Sequence, residues 1–249
     1  MIDDRIAARR RKVRDDRRRH RLRRTILMVA ILVVVVLLIL IERSPLVGLE
    51  EVQVTGTDRL TDAQVRDAAD IPLGTSTLRL GLGPAAERVT ALPLVREAVA
   101  RRLDPLSVVI EVVERQPVLV ADDGDRQVLI DRDGVVIAEG GHERLPQVRL
   151  ESAAPAAGAT VSDHAALQNA HRAWEGLSGP LRARVARYDA EGADDLALVL
   201  EDGVEVRFGR ADRVAEKVRA LGAVLEDVGS TPITRIDVRA PGAPVVVAE

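Results

Sequence analysis

The sequence predicts an α+β protein. A single transmembrane helix is followed by a small β-α-α-β-β domain and then by a mixed α/β domain ending in an edge strand. Three observations lead there. The uncharged run Thr25 to Ile41 follows an arginine-rich tail. Residues 49–117 give a strand pattern, two helix starts and a two-strand hairpin in that order. Residues 118–249 alternate Asp-Gly hairpins with two amphipathic helices. The boundaries that follow are a basic cytoplasmic tail at 1–24, a transmembrane helix at 25–41, a linker at 42–48, and two exported domains at 49–117 and 118–249.

The run TILMVAILVVVVLLILI spans roughly 25 Å as a helix, short but sufficient for a bilayer. Fourteen of its residues are Leu, Ile or Val. At about −0.3 to −0.6 kcal/mol each, insertion gains roughly 4 to 8 kcal/mol, with no internal charge opposing it. A cleaved leader needs a small-x-small exit, and Ile41-Glu42-Arg43-Ser44-Pro45 offers none. An uncleaved anchor is therefore expected. Arg17, Arg18, Arg19, Arg21, Arg23 and Arg24 flank its start, and the positive-inside rule holds them in the cytoplasm. Residues 1–24 carry a balance of +8 and the remainder −11, so the overall −3 hides a basic tail on an acidic body. The tail suits anionic lipid. It has no aromatic interleaving for nucleic acid.

Cysteine is absent, which excludes disulfides, thiolate metal sites and Cys nucleophiles. Trp174, Tyr188 and Phe208 are the only aromatics, so both cores must be aliphatic. Two lysines stand against 34 arginines, a bias that fits a GC-rich bacterial genome.

In the first exported domain, Leu49 to Thr55 alternates as a strand, with Val52 and Val54 on one face, and Gly56-Thr57 ends it. Thr61 and Gln64 form a T-x-x-Q capping box with Leu60 and Val65 at the staple positions. That helix runs to about Asp70, before Ile71-Pro72. A second helix is expected from Pro84, with Ala85, Val89 and Leu92 as its stripe. Two strands then flank Asp104-Pro105. Val99, Arg101 and Leu103 share a face of one, and Val108, Ile110 and Val112 share a face of the other. Two helices can cover one face of this sheet and leave the other face or an edge open.

Strand-Gly, helix, helix, then Leu92-Pro93-Leu94-Val95 and Val113-Glu114-Arg115-Gln116-Pro117 resembles the POTRA domain of the bacterial FtsQ/DivIB division family. The turn Leu103-Asp104-Pro105 lacks the family's common aromatic, and Gly56-Thr57 stands where Gly-Asn is frequent. The likeness continues through "VLIDRDGVVI", "RLPQV", "FGRADRVAEKVRALGAVLED" and "ITRIDVRAPGAPVVV", which resemble the FtsQ β-domain. It covers about residues 5–249 and is weakest over 150–190.

Within the second domain, 128–131 and 135–138 flank Arg132-Asp133-Gly134 as a hairpin. An alanine-rich loop over 151–160 precedes a helix capped by Ser162, with Leu167, Ala170, Trp174 and Leu177 as its stripe. Strands near 184–189, 196–200 and 204–208 follow, the last two joined by Glu201-Asp202-Gly203. Asp212 is expected to cap a helix whose stripe is Val214, Val218, Leu221 and Leu225. Strands over 233–239 and 244–247 close the chain.

No constellation for catalysis emerges. Asp122-Asp123-Gly124-Asp125 and Asp131-Arg132-Asp133-Gly134 lack EF-hand spacing and read as turns. His142, His164 and His171 match no metal motif and are expected at the surface or its boundary. Gly81-Leu82-Gly83-Pro84 lacks the Gly-Lys-Ser/Thr of a phosphate loop, and no G-x-S-x-G is present. Neither an enzyme activity nor a cofactor is expected.

A C-terminal strand is commonly a sheet edge that can accept a partner strand. The resemblance implies the same place: the family's last helix and strand bind the membrane-anchored coiled-coil partners FtsB and FtsL. The matching positions are Lys217, Arg239, Ala240 and Gly242, followed by Val245, Val246 and Val247. The family pattern has an aromatic at the position of Ala240 and another near the tail. This sequence has neither, so an apolar valine clamp with backbone pairing is expected instead. The competing expectation is that these residues only complete the sheet. The resemblance further implies a non-enzymatic bitopic scaffold of the divisome in the cytoplasmic membrane. It would be single-pass with a cytoplasmic N-terminus, enriched at the septum, and would link assembly to the septal peptidoglycan synthase. The alternative is a POTRA-containing envelope protein acting in translocation or secretion. Such proteins carry several POTRA repeats and a barrel, whereas this chain has one unit and no barrel-like strand series.

Overall fold

A computed structural model describes residues 24–37, 40, 48–77, 80–229 and 231–248. Residues 24–37 are helical with every side chain exposed. Among the described residues no helix is long and apolar enough to cross a membrane. Residues 38, 39 and 41 of the expected anchor lie outside the described residues. So do Arg17, Arg18, Arg19, Arg21 and Arg23.

The first domain is a three-stranded sheet, β1 (Glu51–Thr55), β2 (Val95–Arg102) and β3 (Ser107–Glu114), in the order β1-β3-β2. β1 runs parallel to β3, and that pairing requires a crossover. The crossover is α1 (Asp62–Ala69) and α2 (Leu82–Thr90). The capping box at Thr61 and Gln64 is present, with Thr61 Oγ1 accepting from Gln64 N and Gln64 Oε1 accepting from Thr61 N. α2 begins two residues before Pro84, with Gly81 as its N-cap. Pro84 still falls in the first turn, where the backbone N–H has no intrahelical partner to lose. Val65, Ala69, Ala85 and Val89 pack on Val52, Val108, Ile110 and Val112. Val99, Arg101 and Leu103 do share a face of the hairpin, and it is the exposed one; Ala98 and Ala100 pack against the core.

The sequence motif Val113-Glu114-Arg115 joins the two domains. Glu114 is buried and accepts from the backbone N–H groups of Asp58 (2.9 Å), Arg59 (3.0 Å) and Leu60 (2.8 Å). Its neighbour Arg115 points to the other domain. Nη1 reaches Asp131 Oδ2 at 2.5 Å and Asp133 Oδ2 at 3.3 Å, while Nε donates to Val95 O at 3.1 Å.

The second domain is a nine-stranded sheet. Its strands are β4 (Pro117–Asp122), β5 (Gln127–Asp131), β6 (Val136–Glu139), β7 (Gln147–Leu150), β8 (Val185–Ala190), β9 (Leu196–Leu200), β10 (Glu205–Arg207), β11 (Ile233–Asp237) and β12 (Val245–Ala248). The order is β12-β11-β10-β9-β8-β7-β4-β5-β6. α3 (Ala165–Gly176) lies against β7, β8 and β9, and α5 (Val214–Val228) packs beside α3; the short α4 (Gly179–Ala183) leads into β8. β4 and α4 were not legible in the sequence. The stripe Leu167, Ala170, Trp174 and Leu177 is buried as expected. The cap is not: His164, not Ser162, starts α3, its Nδ1 accepting from Leu167 N, and Ser162 sits in a 3-10 turn capped by Thr160. His171 is buried beside Trp174 rather than at the surface.

The Asp-rich loops are turns. Asp122 and Asp123 accept from the backbone of Gly124, Asp125 and Arg126, and Asp123 also accepts from Ala154 N at 2.7 Å. Ala154 N, then Arg126 N, hold the Asp123 carboxyl down at about 2. Asp131 Oδ1 accepts from Asp133 N and Val135 N, with Gly134 at φ 77°.

Glu114→Ala removes the acceptor of three part-buried N–H groups, and a loss of about 1–3 kcal/mol in unfolding free energy is expected. Burial alone would raise the Glu114 pKa; the N–H groups of Leu60, Asp58 and Arg59 and the Arg59 charge bring it below its ordinary value of 4.5. A depressed carboxyl pKa gives stability that is present above the unfolded value and is lost as pH falls through the folded one. Urea unfolding of wild type and variant should therefore differ fully at pH 7 and progressively less below pH 4.5.

Candidate functional site

β12 is the terminal strand of the large sheet. It has β11 as its only strand neighbour among the described residues, in antiparallel register Asp237↔Val245, Ile236↔Val246 and Arg235↔Val247. All four of its residues are exposed, Val245 by 57%, Val246 by 39% and Val247 by 44%. Direct cross-strand partners share a face. Val246 therefore lies on the face of buried Ile236, and Val245 and Val247 on the opposite one. That opposite face is charged. Arg187 pairs with Asp189, Arg207 and Arg235 pair with Glu205, and Arg239 pairs with Asp237 at 2.6 Å. The Arg239 and Asp237 side chains hold each other in the ionised state, lowering the Asp237 pKa. The charged ladder ends at the two valines.

Behind the strand, the turn Ala240–Ala243 is closed by Ala243 N donating to Ala240 O at 3.0 Å. Pro241 and Gly242 of this turn face Glu216, Arg219, Ala220 and Ala223 of α5 across an open groove of about 520 Å³. A Cβ on Gly242 would meet nothing within 4 Å.

Lys217 does not join this surface. It is 2% exposed. Its Nζ donates to Phe208 O (3.1 Å), Arg210 O (2.6 Å) and Asp212 Oδ1 (2.9 Å). All three of its N–H donors are directed to acceptors within the chain. Asp212, expected as the cap of α5, is instead this lysine's acceptor; Arg213, in the left-handed region, occupies the cap position. Sequence reading missed Asn169. From α3 its Nδ2 donates to Gly209 O at 3.1 Å and its Oδ1 accepts from Ala211 N. Asn169 and Lys217 thus clamp the 208–212 loop from two helices. A Cβ on Gly209 would come within 3.0 Å of Arg239 Cγ, so the loop also abuts Arg239, two residues past the end of β11. The available signal was an asparagine directly beside the apolar stripe position Ala170. Arg239, Ala240, Gly242, Val245, Val246 and Val247 are brought together at one edge, while Lys217 stands beneath it. Arg24, at the start of the helical stretch, is exposed and lies in the N-terminal segment.

The chain matches two family descriptions, "POTRA domain, FtsQ-type" over residues 47–115 and "Cell division protein FtsQ/DivIB, C-terminal" over residues 118–239. It is 34% identical over 204 residues to the cell division protein FtsQ of Mycobacteroides abscessus, covering 82% of this chain and 62% of that protein. The Mycolicibacterium smegmatis FtsQ is 34% identical over 208 residues, covering 83% and 59%. The Streptomyces coelicolor FtsQ is 33% identical over 208 residues, covering 79% of this chain and 76% of that protein. The chain belongs to the FtsQ/DivIB cell-division family. It spans only about three fifths of the length of the mycobacterial relatives. Among the described residues no cluster of His, Asp and Glu could hold a metal ion.

Lys217→Met should unfold at lower denaturant, with a loss of about 1–3 kcal/mol, because the buried Phe208 carbonyl and the part-buried Arg210 carbonyl lose their donor. Amide exchange should accelerate first over residues 208–212. Unchanged protection there would show that the clamp is not what holds the loop.

Proposed function

We propose that this protein is a bitopic scaffold of the divisome, held in the cytoplasmic membrane by residues 25–41. Its basic tail, including Arg17, Arg18, Arg19, Arg21, Arg23 and Arg24, lies in the cytoplasm, with both globular domains outside and the protein enriched at the septum. Its binding surface is the edge strand β12 with the adjoining turn. The partners are FtsB- or FtsL-like membrane-anchored coiled-coil proteins, whose recruitment links assembly to septal peptidoglycan synthesis. The observation that carries this reading is the exposed outer edge of β12, with Val245, Val246 and Val247 uncovered and the α5 groove beside it. A partner strand added there would satisfy the free backbone groups, and the valines and groove would set its register.

The test is Val246→Asp in the full chain, with binding of a full-length FtsB-like partner in the same proteoliposomes measured by fluorescence energy transfer. A loss of about 100-fold or more, roughly 2.7 kcal/mol, is expected with the melting temperature nearly unchanged, because Val246 lies on an exposed edge. Unchanged affinity would remove β12 from the interface.

A further inference from the structure

We infer that the end of the first domain farthest from the second domain rests on the outer surface of the lipid bilayer, with Leu73 and Leu103 as its contacts. This rests on the membrane anchor proposed above. Gly48, where the described fold begins after the anchor, is bridged to Ser76. Leu49 N donates to Thr75 O at 2.9 Å, and Gly74 N donates to Leu49 O at 2.8 Å. The Leu73 loop is therefore fastened to the point where the chain leaves the membrane. The β2–β3 turn lies at the same end. Glu50 N donates to Leu106 O at 2.7 Å, and Thr77 Oγ1 donates to Pro105 O at 2.8 Å. The opposite end of the same sheet carries Glu114 and Arg115 and hence the second domain.

From Ile41 to Gly48 the chain can span at most roughly 25 Å, so this end of the domain cannot move far from the headgroups. Its chemistry fits that position. Leu73 is 65% exposed and Leu103 is 58% exposed. Outside residues 24–40 and β12, the exposed large apolar side chains among the described residues are these two, Val113 at 51% and Val99 at 38%. The two leucines occupy loop tips, where small polar residues are usual. Asp104, beside Leu103, has its carboxylate turned back to Leu106 N (2.7 Å) and Ser107 Oγ (2.5 Å), within its own turn. A tethered surface needs little affinity of its own, because the anchor supplies the local concentration.

The chain has no cysteine, so single labels can be placed cleanly. The full chain carrying Leu73→Cys, Leu103→Cys or Ala63→Cys would be labelled with an environment-sensitive fluorophore. Each would be placed one copy per nanodisc of phosphatidylethanolamine and phosphatidylglycerol containing doxyl-labelled lipid. Ala63 is exposed at the start of α1, at the far end of the sheet. Quenching at the two leucine positions should exceed that at Ala63→Cys by roughly twofold or more, as for side chains seated at the headgroup boundary. Equal, weak quenching at all three in a chain that still inserts would overturn this inference and leave the anchor standing. Failure to insert at all would overturn both. Single occupancy excludes shielding by a second copy.

Discussion

Two adjacent residues with opposite allegiances hold this molecule together. Glu114 turns into the first domain and takes up three backbone N–H groups just ahead of α1. Arg115 turns into the second domain, onto an aspartate that is 1% exposed. Neither ion could be buried alone without a large desolvation cost, and each is matched by several donors or acceptors. Because Glu114 and Arg115 share a peptide bond, the end of β3 is fixed to both domains at once. The β5–β6 turn receives the link, since Asp131 Oδ1 organises that turn while Oδ2 takes the arginine. Arg96 adds a second ion pair to Asp133 at 3.2 Å.

From that joint the large sheet runs without interruption to β12, so the junction and the open edge are two ends of one hydrogen-bonded object. Eight inter-strand steps at about 4.8 Å put them roughly 40 Å apart. The edge is further braced from below. β10 and β11 are parallel neighbours joined through α5, and Lys217 ties the first turn of α5 to the end of β10. Asn169 ties the same loop to α3, which packs on the middle of the sheet. Three exposed valines at the edge are therefore carried on a rigid support, and little ordering entropy remains to be lost there when a strand is added.

Much of this was legible in the sequence, and the misses have physical causes. The T-x-x-Q box, the Asp-Gly turns and the stripe through Trp174 are local signals, set by residues within a few positions of one another. All three appear in the fold. The caps of α3 and α5 were assigned to the nearest Ser and Asp, but tertiary contacts overrode local preference. Asp212 is drawn to the Lys217 ammonium, and His164 replaces Ser162 as the acceptor. β4 is not legible because it starts at Pro117, with only two residues and no turn signal between it and the end of β3. The burial of Lys217 is set by Phe208 O, Arg210 O and Asp212, which surround it only once the fold is formed. His171 likewise gives no sign, in a one-dimensional pattern, that its side of α3 is also covered.

The absence of aromatics at the edge constrains how the proposed interface can work. Pairing along four residues contributes a few backbone hydrogen bonds, each worth about 1 kcal/mol net. By itself that yields affinity near the millimolar range. Valine suits the strand because its branched side chain restricts χ1 before binding, but three small side chains cannot provide the anchor that a tryptophan or tyrosine gives. Two features can supply the remainder. The groove between α5 and Pro241-Gly242 is large enough, at about 520 Å³, to take side chains from a partner segment that continues past the strand. Anchoring of both chains in one membrane would also raise the effective concentration to about millimolar. An interface built on β12 would thus be weak between soluble fragments and occupied only when both partners share a bilayer. That would make assembly depend on co-localisation more than on intrinsic affinity.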